Sequence, residues 1–123
     1  MLSLNRPDLL RSQAYRAGHW IDAADGATTS ITNPATGAEI ATVPSLSRDD
    51  IRMAIDAAEI AQKEWKTKTA KARAQILQNW HHALLTHQDD LAKILTAEQG
   101  KPLAEARGEV AYGASFIEWF AEE

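Results

Sequence analysis

The chain has 123 residues, 45% of them hydrophobic and 24% charged, which fits one unit of ordinary globular composition and excludes a disordered or fibrous chain. Thirteen Lys and Arg against seventeen Asp and Glu give a formal charge of −4 with the basic residues scattered, so nucleic acid is not an expected partner. No cysteine is present, which excludes disulfides, thiolate metal sites and a cysteine nucleophile within these residues.

The first ten residues carry Arg6, Pro7 and Asp8 where a secretory signal would place a basic start and an apolar run. No stretch approaches the roughly twenty apolar residues of a membrane span. A cytoplasmic address is the expectation, with no membrane partner.

From Tyr15 the sequence predicts strands and turns. Tyr15, Trp20, Ile21, Ile31, Ile40 and Val43 are short β-favouring islands. Ala17-Gly18, Asp25-Gly26 and Asn33-Pro34-Ala35-Thr36-Gly37 separate them, because glycine accepts positive φ and Asn before Pro favours an extended entry into a turn. Two hairpins over residues 15 to 43 are expected.

At Ser47 the period changes. The Ser47 hydroxyl can cap a helix, with Asp49 and Asp50 in its positive first turn, and Ile51, Ala54, Ile55, Ala58, Ala61 and Trp65 then recur on one face. Thr69 caps a second predicted helix, with Arg73, Ile76, Leu77, Trp80 and Leu84 on one side as far as Thr86. Asp89-Asp90 opens a third, with Leu91, Ile94 and Leu95 inward and Gly100 as its stop. The fourth is expected to start at Pro102, which suits a first helical position, and to turn Leu103, Ala106, Val110, Ala114, Ile117 and Phe120 to the core. Phe116, Trp119 and Phe120 widen its apolar arc so far that a neighbour on a second side is expected: the rest of a larger fold, or another copy of the chain. The fold class is therefore mainly α with N-terminal β-hairpins, an α+β arrangement in one unit: residues 1–46 in strands and turns, 47–123 in four helices.

Motifs that carry chemistry are absent or bland. His81 and His82 are adjacent and point in different directions, and His87 lies five residues beyond His82, off the i, i+4 spacing that lets two imidazoles share an ion. Glu98, Glu105, Glu109, Glu118, Glu122 and Glu123 are plentiful, but helical spacing assigns Glu98 to Lys101, Glu105 to Arg107 or Lys101, and Glu118 and Glu122 to a solvated face. The six glycines are dispersed without a GxGxxG or GxxxxGKS run, so no complete nucleotide site is expected. Trp20, Trp65, Trp80 and Trp119 read as core side chains. No catalytic, cofactor-binding or metal-ligating residue is expected in this chain.

The run Glu98-Gln99-Gly100-Lys101-Pro102-Leu103-Ala104-Glu105-Ala106, the pair Gly108-Glu109 and the run Ala114 to Glu123 resemble the N-terminal region of NAD(P)-dependent aldehyde dehydrogenases, most of all the succinate-semialdehyde dehydrogenase group. Tyr15 to Ala23 is similar to that family's opening hairpin, with Ala17 where the family often has Asn, and Thr32 to Gly37 is similar to its next turn. The resemblance implies a parent of Rossmann-like α/β fold in which a cysteine thiolate attacks an aldehyde, hydride passes to NAD(P) and a thioester is hydrolysed. It places the cysteine, the general-base glutamate, the oxyanion-holding asparagine and the main NADP or NAD contacts beyond residue 123. It implies that this chain is an N-terminal fragment, inactive alone, from the parent's nucleotide-binding region. Its partners would be the remainder of the parent fold or another copy in a homo-oligomer. The alternative is a stand-alone helical module for self-association or protein interaction through Phe116, Trp119 and Phe120.

Overall fold

Alternation of β-favouring residues around tight turns folds the first third into two separate antiparallel hairpins in the computed structural model, which describes residues 2–123. In the first, β1 (Ala14–Arg16) pairs with β2 (His19–Ile21), Ala14 opposite Ile21 and Arg16 opposite His19. Ala17 and Gly18 join them at φ 50° and 84°, the two positive values that a type I′ turn requires. Tyr15 and Trp20 face each other across the hairpin, edge to face, with ring centroids 5.3 Å apart.

The second hairpin pairs β3 (Thr28–Thr32) with β4 (Glu39–Pro44), from Thr28 opposite Pro44 to Thr32 opposite Glu39, with a register slip between Ile31 and Thr32. Its turn is organised by Asn33, whose Oδ1 accepts from the backbone N–H of Ala35 at 2.9 Å and of Thr36 at 3.3 Å.

Four helices follow: α1 (Arg48–Trp65), α2 (Ala70–Thr86), α3 (Gln88–Gln99) and α4 (Leu103–Glu122). Ser47 caps α1 as expected: its Oγ accepts from the Asp50 N–H at 3.1 Å while the Asp50 carboxylate accepts from the Ser47 N–H at 3.0 Å. Thr69 Oγ1 caps α2 through the Ala72 N–H at 3.2 Å. Helices α2 and α3 meet at the single residue His87, and Gly100, left-handed at φ 84°, closes α3. Pro102 stands one place earlier than expected, as the N-cap of α4 with ψ 139°, while its carbonyl already accepts from the Ala106 N–H.

The core is made of small side chains. Helix α4 packs along α2 and α3, and the buried apolar residues are Ala23, Ala92, Ala97, Ala106, Ala114 and Ala121. No large side chain among the described residues is fully buried. Alanines at 106, 114 and 121 leave α4 one narrow inward face, which lets its neighbours approach closely. Leu103, Val110 and Ile117 flank that face half-buried, but Phe120 does not join it and stands 64% exposed, with Ala121 inward instead. In α2 the inward side holds Arg73, Leu77, His81 and Leu84, while Ile76 and Trp80, expected there, are exposed. In α3, Leu91, Ile94 and Leu95 are only half-buried beside the buried Ala92 and Ala97. The apolar stripe of α1 lies largely uncovered, with Ile51 and Ile55 exposed.

Candidate functional site

Local chain geometry decides what the polar side chains can do. His81 is turned from α2 onto α4, with its side chain 13% exposed and Nδ1 3.0 Å from the Ala114 carbonyl oxygen. Its Nε2 lies 3.9 Å from Glu118 Oε1. His82, the next residue, is exposed but stands edge to face with the His81 ring, centroids 5.5 Å apart, in place of the divergent directions expected, while His87 sits apart at the α2–α3 junction. Among the described residues no three His, Cys, Asp or Glu side chains gather as a metal would need.

The carboxylates pair differently from the helical-spacing expectation. Lys101 pairs with Glu109, not with Glu98 or Glu105. Arg107 reaches back to Asp89 on α3, Nε to Oδ1 at 2.7 Å, and Gln88 Nε2 donates to the Arg107 carbonyl. Glu118 and Glu122 are exposed, as expected of a solvated face, while Glu122 also accepts from Gln78 Nε2 at 3.3 Å and Glu118 lies 3.9 Å from His81 at the edge of the α2–α4 seam. Arg107 takes its partner from the adjacent α3 and Lys101 takes its own from two turns along α4, in place of pairs one turn apart, which contribute only about 0.2–0.5 kcal/mol each.

Two carboxylates are buried, each with 3% of its surface exposed. The Asp50 carboxyl is held below its ordinary value by the Ser47 hydroxyl and backbone N–H, which outweigh burial; the Ala24 backbone and the Arg16 charge act the same way. For Asp90 burial is the largest influence and pushes upward. The backbone N–H groups of Asn5 and Arg6, with Lys93, overcome it and leave the carboxyl below its ordinary value. Both groups are satisfied within the fold, although Asp90 also borders an open pocket of about 400 Å³ with Asn5, Arg6 and His87.

The start of α1 is occupied by carboxylates. The strand-to-helix passage from β4 into α1 is the arrangement that elsewhere presents free N–H groups to a phosphate. In this chain Asp49 and Asp50 occupy the first turn, and the Ser47–Asp50 capping box already uses the Ser47 and Asp50 N–H groups. A phosphate would meet carboxylates.

What the chain does present is uncovered apolar surface. On the outer side of α4, Tyr112, Phe116, Trp119 and Phe120 form a second stripe at i, i+4, i+7, i+8, with Tyr112 and Phe116 edge to face at 4.9 Å. Trp119 is 63% exposed. Between α1 and α2 an open groove of about 570 Å³ is lined by Ala58, Ala61, Trp65, Ile76, Leu77 and Trp80. Trp20, Trp80 and Trp119 were expected in the core and are instead exposed, since among the described residues no other element of this chain packs over them. A monomer of 13.5 kDa exposes about 6,500 Å² by the scaling of surface with mass. The chain exposes 8695 Å², roughly 2,000 Å² more, against roughly 800 Å² for one side of a standard protein interface. No helix among the described residues is long and apolar enough to cross a membrane.

The Aldehyde dehydrogenase family model matches residues 20–123. The chain is 53% identical over 122 residues to the succinate-semialdehyde dehydrogenase [NADP(+)] GabD of Escherichia coli (strain K12), covering 99% of this chain and 25% of that enzyme. It is also 53% identical to the 3-sulfolactaldehyde dehydrogenase of Pseudomonas putida, over 100% of this chain and 25% of that enzyme. The crystal structure of an aldehyde dehydrogenase from Brucella melitensis biovar abortus 2308 superposes with a TM-score of 0.98 at 60% identity, covering 100% of this chain and 26% of that one. Related structures of the same fold were solved with NADP and with NAD+. The chain thus spans about a quarter of the length of the relatives it matches.

Proposed function

The chain belongs to the aldehyde dehydrogenase family, and from that premise we propose that it is the front structural segment of an NADP- or NAD-dependent oxidoreductase that converts a short semialdehyde to its dicarboxylate. The observation that carries this reading is the 53% identity that runs along 99% of the chain, to an enzyme of which it covers 25%, in a sequence without a cysteine. In this reading the segment is part of the nucleotide-binding region, and no residue here is catalytic, cofactor-binding or metal-ligating. The acidic first turn of α1 supports the absence of a phosphate site. Because the nucleophile is missing, the chain alone oxidises no aldehyde.

Equal identity to enzymes named for a dicarboxylic semialdehyde and for a sulfonated aldehyde favours a substrate class: a short aldehyde with an anionic group at its far end. Succinate semialdehyde is the member proposed, with a cytoplasmic address and a homo-oligomeric parent. The roughly 2,000 Å² of surplus surface supports a large partner, which is the remainder of the parent fold.

A second reading is favoured by one observation, the aromatic stripe of α4: a module that self-associates through Phe116, Trp119 and Phe120. Sedimentation of the chain at high concentration tests it, and a clean monomer would sink it. The test of the main reading is calorimetric titration of NADP into the chain, with succinate semialdehyde oxidation followed on the same preparation. No saturable heat and no NADPH formation are expected. Stoichiometric NADP binding, or NADPH formed in proportion to the chain, refutes the structural-segment reading.

A further inference from the structure

The N-terminal arm, residues 2–10, has no strand partner. Its own backbone hydrogen bonds are local, the Leu9 N–H to the Arg6 carbonyl and the Leu10 N–H to the Pro7 carbonyl, around the 3-10 turn Pro7–Leu9. Among the described residues, every hydrogen bond from this arm to the rest of the fold ends on two residues of α3 one turn apart. Asp90 accepts from the Asn5 N–H at 3.1 Å, from Asn5 Nδ2 at 3.3 Å and from the Arg6 N–H at 2.8 Å. Lys93 Nζ donates to the Ser3 carbonyl at 3.2 Å and lies 3.5 Å from Asp90 Oδ1. The arm's leucines, Leu2, Leu4, Leu9 and Leu10, are only half-buried. Leu2, Leu4, Pro7 and Leu10 border a partly open space of about 570 Å³ whose other side holds Ile40 and Ala97 together with Asn33, Thr36, Ala38 and Glu39.

We propose that residues 2–10 form a strap that opens as a unit, that Asp90 is its latch, and that opening bares the apolar trough between the second hairpin and α3. A single buried carboxylate serves two consecutive backbone N–H groups, which gives the arm one main attachment where a strand would have many. Losing that attachment removes charge-assisted hydrogen bonds without touching the α2–α4 or α3–α4 packing. Lys93 contributes a secondary tie, because its partner is one carbonyl. Local opening of few-contact segments below the global transition is a general property of folded chains.

Hydrogen exchange resolved by residue tests this on the chain itself. In Asp90→Ala the amides of Asn5 and Arg6 are expected to exchange at least tenfold faster, with those of Ala106 and Ala114 in α4 unchanged; Lys93→Ala gives a smaller acceleration at the same two amides. Unchanged rates at Asn5 and Arg6, or equal acceleration throughout α4, overturn the latch. If Asp90→Ala does not fold, native-state exchange of the unsubstituted chain in rising urea decides. Opening of Asn5 and Arg6 at lower urea than α4, with a urea dependence clearly above zero but smaller than that of α4, supports the strap. Exchange of the arm in step with α4 refutes it.

Discussion

Gly100→Ala isolates one junction of this fold. Gly100 ends α3 at φ 84° and ψ 4°, with its N–H on the Thr96 carbonyl at 2.9 Å. An L-residue in this left-handed region costs roughly 1–2 kcal/mol. A Cβ placed there would also lie 3.0 Å from Cγ of Pro34, a stiff ring in the turn of the second hairpin. Against these, alanine narrows the unfolded ensemble by about 0.4–1 kcal/mol. The net expectation is a loss of about 1–2 kcal/mol, a few degrees in Tm for a chain of this size.

Gly26→Ala supplies the control. Gly26 has φ 72°, and nothing lies within 4 Å of its built Cβ, so it carries the backbone penalty without the contact. Urea unfolding followed by circular dichroism should therefore rank the unsubstituted chain above Gly26→Ala and Gly26→Ala above Gly100→Ala. Adding Pro34→Ala to Gly100→Ala should return the difference between the two glycine variants, because it removes the ring that the new methyl meets. Equal losses for Gly26→Ala and Gly100→Ala would refute the claim that the end of α3 seats on the Asn33–Gly37 turn.

Three further outcomes follow from local geometry. Ala17 is the one non-glycine residue at positive φ among the described residues, and Ala17→Asn should stabilise by about 0.5–1 kcal/mol, since Asn tolerates that region; a lower urea midpoint would contradict the type I′ assignment. Thr96 Oγ1 is buried without a partner, so Thr96→Val should raise stability by about 1 kcal/mol, and a loss on thermal unfolding would mean that the hydroxyl is bonded after all. Asp50 and Asp90 both sit below the ordinary carboxyl value of 3.8, so the unfolded chain binds more protons and their stabilisation, complete above that value, is lost as pH falls through their folded values. Ser47→Ala removes the largest cause at Asp50; it should cost about 1 kcal/mol at neutral pH and flatten the acid limb of urea midpoint against pH, and an unchanged slope would contradict the capping-box origin.

Local signals carried most of the fold. Ser47 with Asp50, Thr69 and Gly100 marked helix ends, since capping is decided within one turn of chain. The single-residue break at His87 and the place of Pro102 differ from expectation by one position, the usual scatter where one helix end abuts the next start. What sequence pattern could not give was the direction of each apolar stripe. Phe120, Trp80 and Ile76 lie at helical spacing with true inward residues, and only the placement of neighbouring helices decides that Ala121, His81 and Leu77 face in. Asp50 was legible as a cap, whereas the clamp of Asp90 on Asn5 joins residues 85 apart and leaves no local trace. For the candidate site, the pairings of Lys101 and Arg107 were not legible, because their partners come from other turns and other helices.

The two faces of α4 explain how one sequence can fold well locally and still leave so much surface open. Its inner face is alanine, which permits close helix approach but removes little apolar area from water, at about 25 cal/mol per Å². Its outer face holds Tyr112, Phe116, Trp119 and Phe120, the large side chains that would contribute most if covered. A chain under selection to stand alone gains more from the reverse assignment, with aromatics inward and alanines out. The observed order is the one expected of a layer packed on both sides, close to its own helices through small residues and keyed to a second body through large ones. That assignment leaves the aromatic stripe of α4 and the α1–α2 groove uncovered in a chain that spans about a quarter of the relatives it matches.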